Sequence, residues 1–267
     1  MTLTSVKTCP NCTTDLETEF NYCPGCGQDA HVHRFNLAHI VHEVIHALTH
    51  ADKGVLQLIA ALTVRPGTVA REYVLEGKRK RYFNPFTFLV ITVGFVVLSN
   101  SIFHPYVRDS SSDNVASTHQ HSTKGAQPTK RTQFEERRQT MMQFIEKRGN
   151  ILIFLAVPLF ALVYWLFFLR TGINFAEHLV AHVFFMGFYA LATALIFVPS
   201  RHYIPSGSWY NYTLLMLQFF YLTFAYTAFI PSRTSFKLLK AATAAFLAIL
   251  SWFIVSGGIG TLYIIFG

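Results

Sequence analysis

The sequence predicts a mainly α-helical protein, a polytopic membrane bundle of about five transmembrane helices with a small cysteine-rich module at its N-terminus. Two observations predict this fold. Hydrophobic residues make up 52% of the 267 residues and charged residues only 13%, whereas an ordinary soluble domain carries roughly 25% charged residues. The apolar residues are concentrated in long runs, and all four cysteines lie within residues 1–30. A single water-soluble core does not explain this composition.

The N-terminal module, residues 1–30, contains two C-x-x-C pairs, Cys9-Pro-Asn-Cys12 and Cys23-Pro-Gly-Cys26. Each tight turn brings two thiolates to one face, so two facing turns supply four sulfurs at the roughly 2.3 Å that tetrahedral Zn²⁺ accepts. Iron ligation and a redox dithiol are the alternatives. Four thiolates leave no open coordination position, so the predicted zinc is structural and not catalytic. The sequence thus predicts a zinc ribbon with Cys9, Cys12, Cys23 and Cys26 as ligands.

The composition of this module also bears on its compartment and partners. It is polar and lacks an apolar core after a basic start, so it does not resemble a signal peptide. The N-terminus is therefore expected in the cytosol, where thiols stay reduced. Lys7 is its one basic residue against Asp15, Glu17, Glu19 and Asp29, which is a poor surface for phosphate. Nucleic acid is thus not expected as a partner, and a protein contact is favoured.

Residues 31–82 are predicted to form cytosolic amphipathic and interfacial helices. The first carries apolar residues at helical spacing between Leu37 and Leu48. A solvated polar face and a metal-binding or pH-responsive face are the two interpretations of its histidines. A second helix is predicted from Val55 to Leu62 and a third from Thr68 to Gly77, where glycine suits a left-handed conformation. The histidine face consists of His39, His42, His46 and His50.

A basic collar directly precedes the first apolar run. Cations that pair with lipid phosphates, followed by the aromatic residues Tyr82 and Phe83, are typical of a membrane interface. Contact with anionic lipid headgroups is therefore predicted, and a site for a phosphorylated ligand is the alternative. The formal net charge of +8 is attributed to orientation and lipid contact. The collar consists of Lys78, Arg79, Lys80 and Arg81.

Five apolar runs each approach the roughly 20 residues that a helix needs to cross the hydrocarbon layer. The first run is followed by a polar loop, 104–150, which we predict to be partly disordered and to contain an amphipathic helix. The other four runs are predicted to form a four-helix transmembrane bundle over 151–267. The runs are 83–103, 151–169, 179–198, 210–230 and 241–266.

Basic residues beside these runs predict the orientation, because Lys and Arg accumulate on the cytosolic side. The collar places the start of the first run in the cytosol, and Arg170 and Lys237 fall on the same side when the runs are counted onward. The loop 104–150 departs from the pattern, because it carries Arg137 and Lys147 near the second run. We predict a multi-pass protein with a cytosolic N-terminus and an outward C-terminus.

Three ionisable residues, Glu177, His178 and His182, lie at the start of the third span. The two histidines are four residues apart and share a helix face, and Glu177 is expected near them. Ionisable groups in apolar spans are costly and often mark a function. Three interpretations remain open: an interfacial or packing role, an ion or proton pathway, and a second metal site completed by other spans.

Short motifs spread over most of the chain carry a resemblance to a known family. They are Cys26-Gly27-Gln28, Asp52-Lys53-Gly54, Arg65-Pro66-Gly67, Tyr73, Gly77-Lys78-Arg79-Lys80-Arg81-Tyr82 with Asn84-Pro85, and Glu177-His178-Leu179. Together they resemble an uncharacterised bacterial membrane family, domain of unknown function 3667. The resemblance implies a zinc ribbon on a helical domain of the bacterial inner (cytoplasmic) membrane, with no established activity.

No familiar catalytic motif accompanies these features. The sequence contains no serine-histidine-acid arrangement, phosphate-cradling glycine loop or dinucleotide fingerprint. The favoured hypothesis is a non-enzymatic protein for assembly, recruitment or regulation, with membrane lipids and a protein partner or homo-oligomer as partners. The alternatives are a transporter or channel, or a membrane metalloenzyme, using Glu177, His178 and His182.

Overall fold

The computed structural model describes residues 7–17, 20–31, 34–37, 54–103, 137, 140, 152–203, 208–231 and 236–266. The predicted histidine face and most of the 104–150 loop lie outside these residues. The described elements are the strands β1 (Lys7–Thr8) and β2 (Asp15–Leu16) and the helices α1 (Val55–Val64), α2 (Pro66–Val74), α3 (Pro85–Phe103), α4 (Leu152–Phe167), α5 (Phe175–Ala192), α6 (Val198–Tyr203), α7 (Ser208–Phe229) and α8 (Lys237–Phe266).

The N-terminal module folds as two similar turns beside a two-stranded antiparallel ladder, in which Lys7 pairs with Leu16. In the first turn the Cys9 amide donates to the carbonyl oxygen of Thr14 at 2.9 Å. In the second the Cys23 amide donates to the carbonyl oxygen of Gln28 at 2.7 Å. The two C-x-x-C pairs therefore occupy equivalent positions on facing turns.

Helices α1 and α2 follow one another directly, with Arg65 between them. Helix α1 begins at Val55 as predicted and ends two residues later than predicted. The prediction for α2 was wrong at both ends, because the helix runs from Pro66 to Val74. Proline suits the first helical turn, where its missing N–H is not needed. Gly77 has the expected left-handed conformation, with φ at 72°.

Four helical segments are long and apolar enough to cross a membrane, namely Arg79–Phe103, Phe175–Arg201, Trp209–Phe229 and Lys237–Thr261. Each coincides with one of the predicted runs, and together they indicate an integral membrane protein. The remaining run forms the shorter helix α4. At about 1.5 Å per residue its described part reaches about 24 Å, less than the roughly 30 Å hydrocarbon core. A fifth span therefore stays a prediction.

Helix α5 is the most deeply buried of these segments and lies against α3, α2 and α7. Its contact with α3 is close, because a Cβ added at Gly187 would lie 3.1 Å from the Phe88 ring. Helix α7 packs against α8 on one side and α2 on another. The fully buried side chains Phe184, Tyr226 and Phe229 belong to the core that these helices share.

A π-helical segment, Thr193–Phe197, separates α5 from α6 within one long span. The Val198 amide donates to the Thr193 carbonyl oxygen five residues back, which is the wider π-type bond. Pro199 explains the local change, because it has no N–H to donate to Leu195 four residues earlier. Segments of this kind are frequent at functional sites.

Candidate functional site

The four cysteines converge on one point between the two turns. Their Sγ atoms all lie within 4.8 Å of one another. The Cys9 and Cys26 sulfurs are 3.7 Å apart, and the Cys12 and Cys23 sulfurs are 3.4 Å apart. Four sulfurs placed about 2.3 Å from a tetrahedral metal are about 3.8 Å from each other. The side chains therefore fit a tetrahedral metal ion, as the spacing of the cysteines predicts.

The local environment differs between the cysteines. Burial raises the pKa of the Cys9 thiol to about 11. A hydrogen bond with the Thr14 hydroxyl, at 3.1 Å, lowers the pKa of Cys12 to about 6. A metal ion binds thiolates and so must displace the Cys9 proton. Metal affinity at this site is therefore expected to fall as the pH falls.

Gln28 joins the cysteine module to the basic collar. Its side chain is 2% exposed. Its Nε2 donates to the carbonyl oxygen of Gly77 at 2.7 Å, and its Oε1 accepts from the Lys80 amide at 3.2 Å. The backbone oxygen of Gln28 accepts from Cys23. One residue thus contacts both a ligand-bearing turn and the entrance to the first span.

Glu177 is fixed at the start of α5 by a capping box with Asn174. The Glu177 amide donates to Asn174 Oδ1 at 2.9 Å, and Glu177 Oε2 accepts from the Asn174 amide at 2.8 Å. Arg34 Nε and Nη2 donate to the two carboxylate oxygens, each at 2.7 Å. This hydrogen bonding raises the pKa of Arg34. The buried carboxylate of Glu177 is thereby paired, and it ties residue 34 to α5.

Phe35 extends this contact towards α2 and the collar. Its carbonyl oxygen accepts from Asn174 Nδ2 at 3.0 Å. Its ring stacks with Tyr73 at a centroid distance of 6.0 Å, and the Arg79 guanidinium lies 4.0 Å from the ring centroid. Tyr73 in turn meets Phe184 of α5 edge to face. Arg34 and Phe35, which follow the cysteine module, therefore connect the collar to the start of α5.

Helix α2 caps the C-terminal end of α7. Arg71 Nε donates to the Phe229 carbonyl oxygen at 3.1 Å. Arg71 Nη2 donates to the carbonyl oxygen of Ile230 at 3.0 Å and also to that of Ala228. These carbonyls lack helical partners, and a cation suits the negative end of a helix dipole. A Cβ at Gly67 would overlap the carbonyl oxygen of Ala225. The close contact between α2 and α7 therefore requires the glycine of the Arg-Pro-Gly motif.

The collar makes contacts inside the chain that its sequence did not predict. Glu72 lies 3.6 Å from Lys78 Nζ and 3.1 Å from Arg81 Nη1, and it accepts a hydrogen bond from Tyr82. Burial raises the pKa of Glu72, but the Tyr82 hydrogen bond and the charges of Arg81 and Lys78 outweigh it, so the net pKa is lowered. Contact of the collar with lipid stays a prediction.

His178 and His182 are fully buried between α5 and α7. His182 Nδ1 lies 2.9 Å from the carbonyl oxygen of His178, which only accepts, so Nδ1 carries a proton. Tyr226 Oη is 3.3 Å from this nitrogen and 2.8 Å from His178 Nδ1. In the arrangement that satisfies these contacts, the Tyr226 hydroxyl accepts a hydrogen bond from His182 Nδ1 and donates one to His178 Nδ1. His178 Nε2 is then a donor and His182 Nε2 an acceptor.

Three buried polar atoms of this histidine cluster are unsatisfied among the described residues. In the described part of the chain, Nε2 of His178, Nε2 of His182 and the Tyr164 hydroxyl have no hydrogen-bond partner. The Tyr164 ring lies 4.8 Å from that of His182 and 3.8 Å from that of Tyr226. The sequence did not predict the two tyrosines as part of this cluster, because they lie on α4 and α7 and the histidines lie on α5.

The predicted grouping of Glu177 with the two histidines is not reproduced as a ligand set. Among the described residues, the cysteines are the one group of three or more side chains with ligand atoms close enough to share a metal. The carboxylate of Glu177 contacts Arg34 and Asn174 instead. Adjacent residues on a helix differ by about 100° in direction, which separates Glu177 from the histidine face.

One segment of the chain matches a known family model. Residues 52–97 match the family model described as Protein of unknown function (DUF3667). The predicted resemblance is confirmed. The matched segment contains α1, α2, the collar and most of α3, including Gly67, Arg71 and Glu72 with the contacts described above. No curated protein and no solved structure matches the chain.

Proposed function

We propose that this chain is a non-enzymatic integral membrane protein whose zinc ribbon recruits a protein partner to the cytosolic face of the bacterial inner membrane. The observation that carries the proposal is the buried Gln28 bridge between the ribbon and the collar. A ribbon attached in this way is held at a fixed place on the membrane domain. Such a placement suits a docking platform.

The metal is proposed to be zinc, held by Cys9, Cys12, Cys23 and Cys26. A thiolate set of this kind suits zinc, and four thiolates leave no position for water or substrate. When bound, zinc supplies the cross-link that stabilises a segment too short to bury a core of its own. The ribbon therefore acts through its surface and not through metal chemistry.

The surface of the ribbon offers an aromatic anchor within an acidic rim. Tyr22 is 67% exposed, and Asp15, Glu17 and Asp29 are exposed beside the same turns. Exposed aromatic residues with a polar rim are typical of protein interfaces. The proposed partner is a protein with a basic surface. Lys80 and Arg81 of the collar, both exposed, are proposed to contact anionic headgroups at the cytosolic side.

A photoreactive phenylalanine analogue in place of Tyr22, within the full-length chain in membranes, tests this proposal. Phe236, an exposed aromatic residue just before α8, is the matched control position. We expect position 22 to form one discrete protein adduct that disappears when Cys23→Ser is added, while adducts from position 236 do not change. Identical adducts at position 22 with and without Cys23→Ser would contradict the proposal. An adduct of twice the chain mass identifies a homo-oligomer as the partner.

A second candidate function, movement of protons or ions across the membrane, is favoured by the histidine cluster. His178 and His182 are buried within a span, and their Nε2 atoms have no partner among the described residues. Polar groups left unsatisfied at membrane depth are costly and tend to mark pathways. Flux in proteoliposomes that falls with His178→Ala and His182→Ala supports this function. If proteoliposomes that contain the unsubstituted protein show the same flux as empty liposomes, this function is excluded.

A further inference from the structure

A cavity of about 270 Å³ lies among the membrane helices at the end of the bundle away from the ribbon. Its position follows from two helices. Helix α3 begins next to the collar, and the cavity contacts it at Asn100, near its other end. Helix α5 begins at the Arg34–Glu177 contact, and the cavity reaches the π-helical segment at Thr193 beyond its far end.

The wall of the cavity is mostly apolar and includes Phe160, Met186 and Trp252. None of the described residues that line it carries a charge. The hydroxyl groups of Tyr189 and Thr193 donate to backbone carbonyls, those of Leu214 and Tyr189 respectively. A charged ligand is therefore not suited to this cavity, and the polar character of the wall depends on its amides.

Two carboxamides, Asn100 and Gln218, line the cavity from different helices. Asn100 is 7% exposed. Gln218 Nε2 donates to Met186 Sδ at 3.8 Å, a weak acceptor. Each amide has two N–H donors and one carbonyl acceptor, so Gln218 retains capacity to bond an occupant. Amides in an apolar layer are stabilised by such bonds, because unsatisfied polar groups are costly there.

The two amides lie at different depths. Asn100 is three residues from the end of α3, whereas Gln218 lies near the middle of α7. The π-helical segment also forms part of the wall, and the Ser99 hydroxyl of α3 donates to the Ala194 carbonyl oxygen of this segment at 2.7 Å. A cavity of this volume holds roughly nine groups the size of a water molecule. Both amides line this one cavity, so a single occupant is expected to contact both.

From these features we infer that the cavity binds the uncharged, carbonyl-bearing part of a bilayer-dissolved molecule with a hydrocarbon body. The apolar wall contacts the hydrocarbon, and the Asn100 and Gln218 amides donate to the carbonyl oxygens. The ester region of a phospholipid and the ring of a quinone share this chemistry. The site is independent of the ribbon function proposed above.

Bound small molecules in the full-length chain, purified in a mild detergent, test the inference. Mass spectrometry of an organic extract measures the carbonyl-bearing molecules per chain and identifies phospholipid or quinone as the source. The double variant Asn100→Leu with Gln218→Leu removes both amides at similar volume. Leu98→Ala with Leu217→Ala is the matched control, because these exposed residues neighbour the amides on the same helices. Metal content at the cysteines reports whether each variant has kept its folded ribbon.

We expect about one bound molecule per chain in the unsubstituted protein and in the control. In the double variant without the amides, we expect the number of bound molecules per chain to fall by at least about tenfold, because two hydrogen bonds are lost. Ala190→Phe, which fills the cavity, is expected to remove the molecule as well. For delipidated protein, a short-chain benzoquinone and a short-chain phospholipid are titrated separately against the fluorescence of Trp252, with Trp252→Phe as reference. Equal occupancy in all variants, or no saturable signal with either probe, overturns the inference.

Discussion

The contacts of Gln28 and Glu177 and the histidine cluster differ in how far their buried polar atoms are hydrogen-bonded. The side chains of Gln28 and Glu177 each have two or more hydrogen-bond partners. In the histidine cluster, Nε2 of His178 and of His182 has none within the described residues. Fully satisfied polar groups fix one arrangement of the chain. Unsatisfied ones mark the places where an exchangeable proton or a ligand is expected.

This difference distinguishes buried polar side chains that are fully paired from those that keep an unpaired atom. Removing a partner of Gln28 or Glu177 leaves a buried group unpaired, which costs stability. Removing an atom that has no partner costs little. The expected effects of substitutions therefore rank in a definite order, from the metal ligands down to the half-buried ion pairs.

Loss of the metal is expected to have the largest effect. Apparent binding energies of structural zinc reach about 10–16 kcal/mol in small domains, so the ribbon should not stay folded without it. We expect Cys9→Ser to abolish metal binding and to make residues 7–31 sensitive to protease, while the helical content of the membrane domain is kept. A protease-resistant ribbon in metal-free protein would show that the cysteines do not hold the module together.

Breaking the Arg34–Glu177 pair is expected to have the next largest effect. Arg34→Ala leaves the Glu177 carboxylate buried without its guanidinium, but the Arg34 side chain is 65% exposed, so water compensates in part. We expect a loss of about 2 kcal/mol in the free energy of unfolding, measured by denaturant titration in detergent. Arg81→Ala is the control, because Glu72 is less buried than Glu177 and keeps its contacts with Lys78 and Tyr82, so we expect a loss of at most about 1 kcal/mol. Equal losses in both variants would contradict this ranking.

Two tyrosines in the histidine cluster allow a direct test of the comparison. Tyr226→Phe removes a hydroxyl that contacts His178 and His182, and we expect a loss of about 1–2 kcal/mol. Tyr164→Phe removes a hydroxyl with no partner in the described chain, so its loss should be near zero. Thermal unfolding of the two variants measures the difference. A Tyr164→Phe variant as unstable as Tyr226→Phe would show that Tyr164 has a polar partner.

Glu72 is expected to give the smallest effect, visible as a dependence of stability on pH. Its pKa in the folded protein is lowered. Its contribution is therefore present above the ordinary carboxyl pKa and is lost as the pH falls through the folded value. As the pH falls below about 5, we expect Tm to fall less steeply in Glu72→Gln than in the unsubstituted protein. Glu76→Gln, which removes a more exposed carboxylate, should leave the slope unchanged.

Local patterns in the sequence were sufficient to predict the clustering of the four cysteines and the apolar helices. The C-x-x-C spacing brings thiolates together within one turn, and long apolar runs correspond to membrane-length helices. Contacts between distant residues were not predicted, because no local pattern encodes them. Gln28 meets a carbonyl 49 residues away, and Arg71 meets one 158 residues away. Arg71 nevertheless lies in the matched family segment, next to the glycine that permits its approach.

The most direct test of the docked ribbon is hydrogen exchange at the Lys80 amide, which donates to Gln28 Oε1. We predict slow exchange in the metal-loaded protein and exchange about tenfold faster or more in Gln28→Leu, because about 1.4 kcal/mol of protection is lost. Metal content should be the same in both proteins. An unchanged rate at Lys80 in a Gln28→Leu protein with full metal content would show that the ribbon is not held on the collar.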